Sequence, residues 1–339
     1  MTGKERKEMD EMKKVSIVMC TYNGEKYIKE QLDSIINQTY PLYEIIIQDD
    51  HSTDGTWGIL EKYKETNPLI KIYKNESEAG VNGNFFSAME RTNGEYIAIS
   101  DQDDIWELNK IENQINYIGN KLLCSCLSEP FSNDKNIKTH YDGRTPNYNL
   151  ERIIFVGSAL PGHTLLFKKE LKSMIPNLQI WSKEFLYDHL LGITAAGYNS
   201  IAFYNKILVN HRCHSKAATY GTPNDYNKKF NNVIRTIKRT FCQYFELRPY
   251  IKLYFKKIYL LVSELPEENN EDTKKIALHL SQNSFYSFIE VELMCIKSKD
   301  KILFSKEKNK IYGLLRAMYF PISSSDYFTY LKKVYKIRT

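Results

Sequence analysis

The chain has 339 residues, 47 Lys and Arg against 41 Asp and Glu, a net charge of +6, and 42% hydrophobic with 13% aromatic residues. That is apolar matter enough for one large domain or two, which excludes a mainly disordered chain, and the charge is too mild to imply nucleic acid. No apolar run approaches the roughly 20 residues that cross a bilayer, and the charged opening lacks the apolar stretch of a secretory signal, so neither an integral membrane protein nor a secreted one is expected.

Residues 1–13 read as a flexible segment. Val15-Ser16-Ile17-Val18-Met19-Cys20 is a short apolar run, the pattern of a buried strand, and Thr21-Tyr22-Asn23-Gly24 breaks it with turn formers. Ile28, Leu32, Ile35 and Ile36 recur at helical spacing over 25–38, with Pro41 beyond the end. A second strand over 43–47 ends in Gln48-Asp49-Asp50-His51-Ser52, and Asp54 is placed to cap a helix through Trp57, Leu60 and Tyr63. A third strand is predicted over 70–73 and a helix over 84–91, stopped by Asn93-Gly94. A fourth strand over 96–99 runs into Asp101-Gln102-Asp103-Asp104, ahead of a helix holding Ile111, Ile115 and Ile118 that Asp104 is placed to cap. Of the six cysteines only Cys124 and Cys126 are close together, so reduced thiols serving as small core residues are expected rather than zinc ligands.

Alternating strands and helices of this length predict an α/β fold with a mostly parallel sheet, whose ligands bind beyond the carboxyl ends of the strands. The polar residues gather at those ends. No G-x-G-x-x-G follows the first strand and no G-x-x-x-x-G-K-[ST] occurs, which removes the two common glycine-rich phosphate cradles. A divalent cation on carboxylates is the remaining way to neutralise a phosphate. Asp101 and Asp103, two apart on an extended segment, point the same way and can share such a ligand. A solvated turn is the alternative.

With these residues in place the sequence resembles the family 2 glycosyltransferases of GT-A fold over about residues 13–216. Ser16-Ile17-Val18-Met19-Cys20-Thr21-Tyr22-Asn23 looks like the family's first strand and nucleotide contact, and Ser34-Ile35-Ile36-Asn37-Gln38-Thr39-Tyr40 is similar to its S-x-x-x-Q-T/S stretch. Asp49-Asp50-His51-Ser52-Thr53-Asp54-Gly55-Thr56 matches DDGS-x-DGT, with His51 where Gly is usual. Gly94-Glu95-Tyr96-Ile97 through Asp101-Gln102-Asp103-Asp104-Ile105-Trp106 matches the D-x-D-D segment in the form of the rhamnosyltransferase-like branch. The resemblance implies that Thr21, Tyr22 and Asn23 line the nucleotide pocket and that Asp50 accepts from a pyrimidine N–H. It places Asp101 at the ribose or metal and Asp103 on the metal. Asp54 reads as a helix cap, and Asp49 as a turn residue or a contact.

Inverting transfer also needs a base for the acceptor hydroxyl. Phe185-Leu186-Tyr187-Asp188-His189 opens a helical run that Gly197 stops, and the resemblance makes Asp188 that base. Read without it, Asp188 is a helix-start acid facing the dipole. His211-Arg212-Cys213-His214 resembles the family's Y-R-x-H, which implies a diphosphate contact for Arg212 and a metal ligand in His214; Mn²⁺ or Mg²⁺ suits that set. His163, in Pro161-Gly162-His163-Thr164, is read as structural or acceptor-side and given no chemistry.

The sequence thus divides into a GT-A catalytic domain over 14–220 and a helical, basic and aromatic region over 221–339, with an acidic break over 264–272, a helix over 274–296 and a basic tail over 327–338. Lysines interleaved with Tyr and Phe suit either a solvated helical face or an anionic membrane surface. The expected partners are a UDP- or dTDP-linked donor and a glycan or polyprenol-linked acceptor, without nucleic acid. The expected place is the cytoplasm, peripheral at the inner membrane face. A sugar nucleotidyltransferase, which would want a G-x-G-[ST]-R loop after the first strand, and a silent nucleotide-sugar-binding module are the competing readings.

Overall fold

The computed structural model describes residues 12–141, 147–155, 160–215, 230–266, 268, 270–282, 284–303, 310–311, 313–319 and 321–322. The chain forms two compact units that interleave along the sequence. The first comprises Met1–Phe131, Leu160–Leu191 and Ser200–Arg212, and the second comprises Ser132–Ala159, Gly192–Asn199 and Cys213–Thr339.

The first unit is built on one eight-stranded sheet: β1 (Val15–Thr21), β2 (Glu44–Asp49), β3 (Ile70–Lys74), β4 (Tyr96–Ser100), β5 (Ile105–Trp106), β6 (Leu123–Phe131), β7 (Leu166–Lys168) and β8 (Ile201–Arg212). Their order is β3-β2-β1-β4-β7-β6-β8-β5. The pairs β1–β2, β1–β4, β2–β3 and β6–β8 are parallel, while β7 runs antiparallel to β4 and β6, and β5 to β8. The expected mostly parallel α/β sheet is therefore present, with all four predicted strands. Strand β1 is buried along nearly its whole length, as a parallel strand covered on both faces must be. Helices α1 (Ile28–Ile36), α2 (Thr56–Thr66), α3 (Val81–Glu90) and α4 (Lys110–Ile118) follow β1, β2, β3 and β5. Ile28, Leu32 and Ile35 of α1 and Ile111, Ile115 and Ile118 of α4 join Ile17, Met19, Ile45 and Ile47 in one core, which is why their spacing is helical.

Register aligns the strand ends. Thr21 pairs with Asp49, and Met19 with Ser100, so the residues after β1, β2 and β4 emerge side by side. The opposite end is pinned by Glu44, which accepts from Ser16 Oγ (2.8 Å), Lys71 Nζ (2.7 Å) and the Asn93 backbone N–H. Gly94 fits there because a Cβ would meet Ser16 Oγ at 2.6 Å and the Lys14 carbonyl at 2.8 Å. The G-E-Y-I segment thus begins with glycine for want of room.

One local expectation fails. Asp104 does not cap the following helix: it leads into β5, and Asn109 precedes α4.

The second unit is mainly helical among its described residues. Helix α5 (Tyr187–Gly197) begins in the first unit and ends in the second, at the predicted Gly197. Helix α6 (Phe230–Ser263) is long and contains Pro249. The single helix expected over 274–296 is two, α7 (Glu271–Ser281) and α8 (Phe285–Lys297). Gln282 turns extended, and the Ser284 hydroxyl accepts from the Ser287 N–H at 3.0 Å to start α8 afresh. Tyr244 and Phe255 of α6 are buried, while Lys252, Leu253, Lys256 and Leu260 are exposed. The six cysteines are all free, with Cys124, Cys126 and Cys295 buried as small core residues. The tail over 327–338 lies outside the described residues.

Candidate active site

The site lies where β1, β2 and β4 end. Thr21, last in β1, is 1% exposed and its hydroxyl donates to Asp49 Oδ1 at 2.9 Å. Asp49 is buried and also accepts from the Ser52 N–H (3.0 Å) and Lys74 Nζ (3.1 Å). Burial would raise its pKa, but these donors outweigh it and hold the carboxyl below the ordinary range. Of the two readings for Asp49, the geometry is that of a turn anchor. Asp54 is not the expected cap, a position Gly55 holds; it stands one residue earlier, and its Oδ1 accepts at 3.0 Å from the N–H of Thr56, the first residue of α2.

His51 has φ +60°, a left-handed conformation that explains the family's usual glycine and is tolerated by His. Asn23, at φ +50°, accepts from the Thr53 N–H (2.8 Å) and donates its own N–H to Ser52 Oγ (2.8 Å), tying the first strand's turn to the second's. Tyr22 is 59% exposed and offers its ring to solvent. Its backbone is gripped by Gln102, whose Oε1 accepts from the Tyr22 N–H and whose Nε2 donates to the Tyr22 carbonyl, both at 2.9 Å. Asp50 is half-buried; Oδ1 accepts from Asn75 Nδ2 (2.7 Å) and Oδ2 from the Gly80 N–H (2.8 Å). Each oxygen keeps a second lone pair for a further donor.

The carboxylates after β4 divide by depth. Asp101 and Asp103 are half-buried, whereas Asp104 is fully buried. Asp104 Oδ1 accepts from the Arg212 N–H (2.9 Å) and lies 3.0 Å from His211 Nδ1, and its Oδ2 lies 3.6 Å from His163 Nδ1. His163 and His211 stack at 4.7 Å with 9° between their planes. Asp104, His163 and His211 bring one carboxylate and two imidazoles within 4.8 Å, a set able to take a metal ion. The same contacts also make an internal ion pair. Burial pulls His211 down, but the hydrogen bond and charge of Asp104, with Asp101 and Asp103 adding, push it up to about 9. Burial likewise raises Asp104, and the two imidazoles and the Arg212 N–H bring it below its ordinary value.

Arg212 is 1% exposed at the end of β8. Its Nε donates to the Asp103 carbonyl (2.7 Å), its Nη2 to Glu30 Oε2 (2.8 Å), and the guanidinium lies between the rings of Tyr27 and Phe131. It braces the acidic loop. His214 follows two residues after β8, in the chain segment assigned to the second unit.

Asp188 stands in the first turn of α5, as expected. The helix start is held by Asn82 of α3, whose Nδ2 donates to the carbonyls of Ser182 (2.6 Å) and Phe185 (2.7 Å) and whose Oδ1 accepts from the Tyr187 N–H (2.9 Å). Burial pushes the Asp188 carboxyl up to about 7. The charge of Asp101 adds to that rise, while the backbone N–H groups of His189 and Gly162 and the nearby His163 oppose it. Tyr187 is buried against Phe85 with rings 4.2 Å apart. The Cys20 thiol is pushed well above its usual range by burial and by the charges of Asp101 and Asp50. Sequence reasoning missed Asn82, Gln102, Cys20 and Asp104, and assigned His163 no chemistry. Only their contacts reveal them.

The mostly parallel sheet thus carries carboxylates at its strand ends, with the helix-start acid Asp188 in the same unit. Residues 16–171 match the model described as glycosyl transferase family 2. The chain is 41% identical over 107 residues to the Escherichia coli UDP-Glc:alpha-D-GlcNAc-diphosphoundecaprenol beta-1,3-glucosyltransferase WfaP, covering 32% of this chain and 42% of that protein. It is 35% identical over 163 residues to the Shigella flexneri dTDP-rhamnosyl transferase RfbG, covering 45% of this chain and 54% of that one. The chain therefore spans about half the length, or less, of these relatives. The crystal structure of S. aureus TarS residues 1–349 superposes with a TM-score of 0.53 at 16% identity, over 95% of this chain and 91% of that one. The same fragment was also solved in complex with UDP-GlcNAc, at 17% identity to this chain. Over residues 16–171 the chain is thus similar to glycosyltransferase family 2.

Proposed function

We propose that the protein is an inverting, cation-dependent glycosyltransferase that moves a sugar from a UDP- or dTDP-linked donor to a glycan or polyprenol-linked acceptor in cell-surface polysaccharide assembly. The observation that carries this reading is Asp188, a half-buried carboxyl with its pKa raised to about 7 beside the charge of Asp101. A base works best with a pKa near the operating pH, and this one is tuned there by burial and a like charge. The relatives named for a diphosphoundecaprenol acceptor and for dTDP-rhamnosyl transfer support the substrate classes.

The donor set fits a divalent cation. Asp101 and Asp103 are half-buried at the end of β4, and beside them Asp104 Oδ2 and His163 Nε2 are buried without a hydrogen-bond partner. Asp103 would hold the ion, with His214 proposed beside it from the sequence motif alone. When bound, Mn²⁺ or Mg²⁺ supplies neutralising charge for the departing nucleoside diphosphate. The protein's own residues do the rest. Thr21, Tyr22 and Asn23 shape the base pocket, and Asp50 accepts from the pyrimidine. Asp101 faces the ribose or the metal, and Arg212, which braces the acidic loop, meets the diphosphate. Asp188 takes the proton of the attacking hydroxyl, and a single displacement inverts the anomeric carbon.

The test is a panel of nucleoside diphosphate sugars with Mn²⁺ or Mg²⁺, scored for release of the nucleoside diphosphate with a polyprenol-linked acceptor present. One donor is expected to turn over, with activity lost in EDTA and restored by the metal. Asp188→Asn is expected to lower kcat by about 10²–10⁴-fold, the usual contribution of a positioned base. Turnover by Asp188→Asn within a few-fold of wild type would remove the base, and turnover in EDTA would remove the cation.

A further inference from the structure

We propose that the turn at 161–164 is a brace that sets the base against the donor-side carboxylates, with His163 as its positioning residue. The proposal rests on the reading of Asp188 above and adds a residue to that reaction. Two neighbouring residues of one turn reach the two halves of the site. Gly162 lies against the Tyr187 hydroxyl at the start of α5, one residue before Asp188. The next side chain, His163, puts Nδ1 3.3 Å from Asp101 Oδ2 and 3.6 Å from Asp104 Oδ2.

The turn is stiff enough to transmit position. Gly162–Thr164 is a 3₁₀ turn whose Thr164 Oγ1 donates to the Pro161 carbonyl (2.7 Å) and shares a hydrogen bond with Ser125 Oγ (2.7 Å). The Thr164 carbonyl accepts from Gln114 Nε2 at 2.8 Å. Leu165 then accepts from the Ile99 N–H (3.1 Å), and β7 pairs with β4, the strand that carries Asp101. On the other side, a Cβ on Gly162 would meet the Tyr187 hydroxyl at 1.9 Å, so the turn packs directly against the start of α5. His163 itself is 6% exposed and stacked on His211. An imidazole aimed at two carboxylates fixes where Asp101 stands relative to Asp188. Misplacing reacting groups by about 1 Å costs on the order of 10²-fold in rate.

The experiment uses the full chain with the donor and acceptor found in the panel above. His163→Ala, His163→Asn and His163→Gln are compared for kcat, donor KM, the ratio of donor hydrolysis to transfer, and Tm. The Asn amide nitrogen occupies the place of the imidazole Nδ1, whereas that of Gln reaches the place of Nε2. The expected result is a kcat for transfer about 30–100-fold lower in His163→Ala, donor KM within about threefold, a raised hydrolysis ratio, and recovery by Asn but not by Gln. Combined with Asp188→Asn, the two losses should be non-additive, because both act on one proton transfer. A kcat for His163→Ala within threefold of wild type, equal behaviour of Asn and Gln, or additive losses would overturn the brace. An inactive Asp188→Asn beside a fully active His163→Ala would sink the brace and leave the base standing. An active Asp188→Asn would sink the base, and the brace with it.

Discussion

The carboxyl of Asp188 is poised between opposing influences. Burial and the charge of Asp101 favour its neutral form, and two backbone N–H groups with His163 favour the anion. A base acts only when ionised, so kcat is expected to rise with pH through about 7 and level off above. Asp101→Asn removes a charge that raises this pKa, so the acid limb should move to lower pH in the pH–rate profile, whatever the loss in absolute rate. A limb that stays put, or moves up, would show that Asp101 does not act on Asp188. Single residues were legible in the sequence where a motif carried them: Asp188 is in the first helical turn and Asp101 at the strand end, as expected. His163 and Asp104 were not legible, because their partners lie 48 to 108 residues away along the chain. A carboxylate before an amphipathic helix looks like a cap, and only its burial against His211 and Arg212 says otherwise.

Elements were the most legible level. Strands β1 to β4 follow from apolar runs, and α1, α2 and α4 from 3.6-residue periodicity, since burial on one face is what those patterns record. The break between α7 and α8 was missed because both helices keep an apolar stripe in phase, and a serine cap is a weaker signal than a glycine or proline. Lys110 was equally hidden. A lysine at a helix start suggests solvent, yet Lys110 is fully buried, with Nζ 2.8 Å from Gln114 Oε1 and 3.9 Å from the Trp106 ring centroid. Burial lowers its pKa to about 8, with Cys126 and Cys124 opposing. Below that value the lysine is charged in both folded and unfolded states, and burying the charge opposes folding. Between about 8 and the unfolded value of roughly 10.4 the folded protein gives up its proton first, so stability rises with pH there. Lys110→Met should therefore raise stability by about 1–3 kcal/mol at pH 7, with the gain shrinking toward pH 10. Denaturant unfolding at several pH values measures this, and a loss of stability at pH 7 would mean that the hydrogen bond and the ring outweigh desolvation.

At the level of the whole molecule, the sequence places the positive excess in the last third. Within α6 the structure turns Tyr244 and Phe255 inward and leaves Lys252 and Lys256 outside with Leu253 and Leu260. No described helix is long and apolar enough to cross a membrane. A polyprenol-linked acceptor, one of the two proposed above, would be met at a bilayer surface. The protein should therefore float with vesicles containing phosphatidylglycerol at low salt and release at high salt, while vesicles of phosphatidylcholine alone retain little. Protein that stays in the soluble fraction under all three conditions would leave the basic face simply solvated. The interleaving of the two units was beyond a linear reading, because segments 132–159 and 192–199 join the second unit through contacts distant in sequence.

The alignment of strand ends has a further consequence for how such enzymes diversify. The site residues that follow β1, β2 and β4, from Thr21 to Asp104, are encoded before β6, whereas the turn and helix start that carry Gly162, His163 and Asp188 come after it, as do His211 and Arg212 of β8. Recombination between relatives within 107–160 would thus separate these two groups of residues. The contact such a hybrid must rebuild is the one between the incoming imidazole of residue 163 and the resident Asp101 and Asp104.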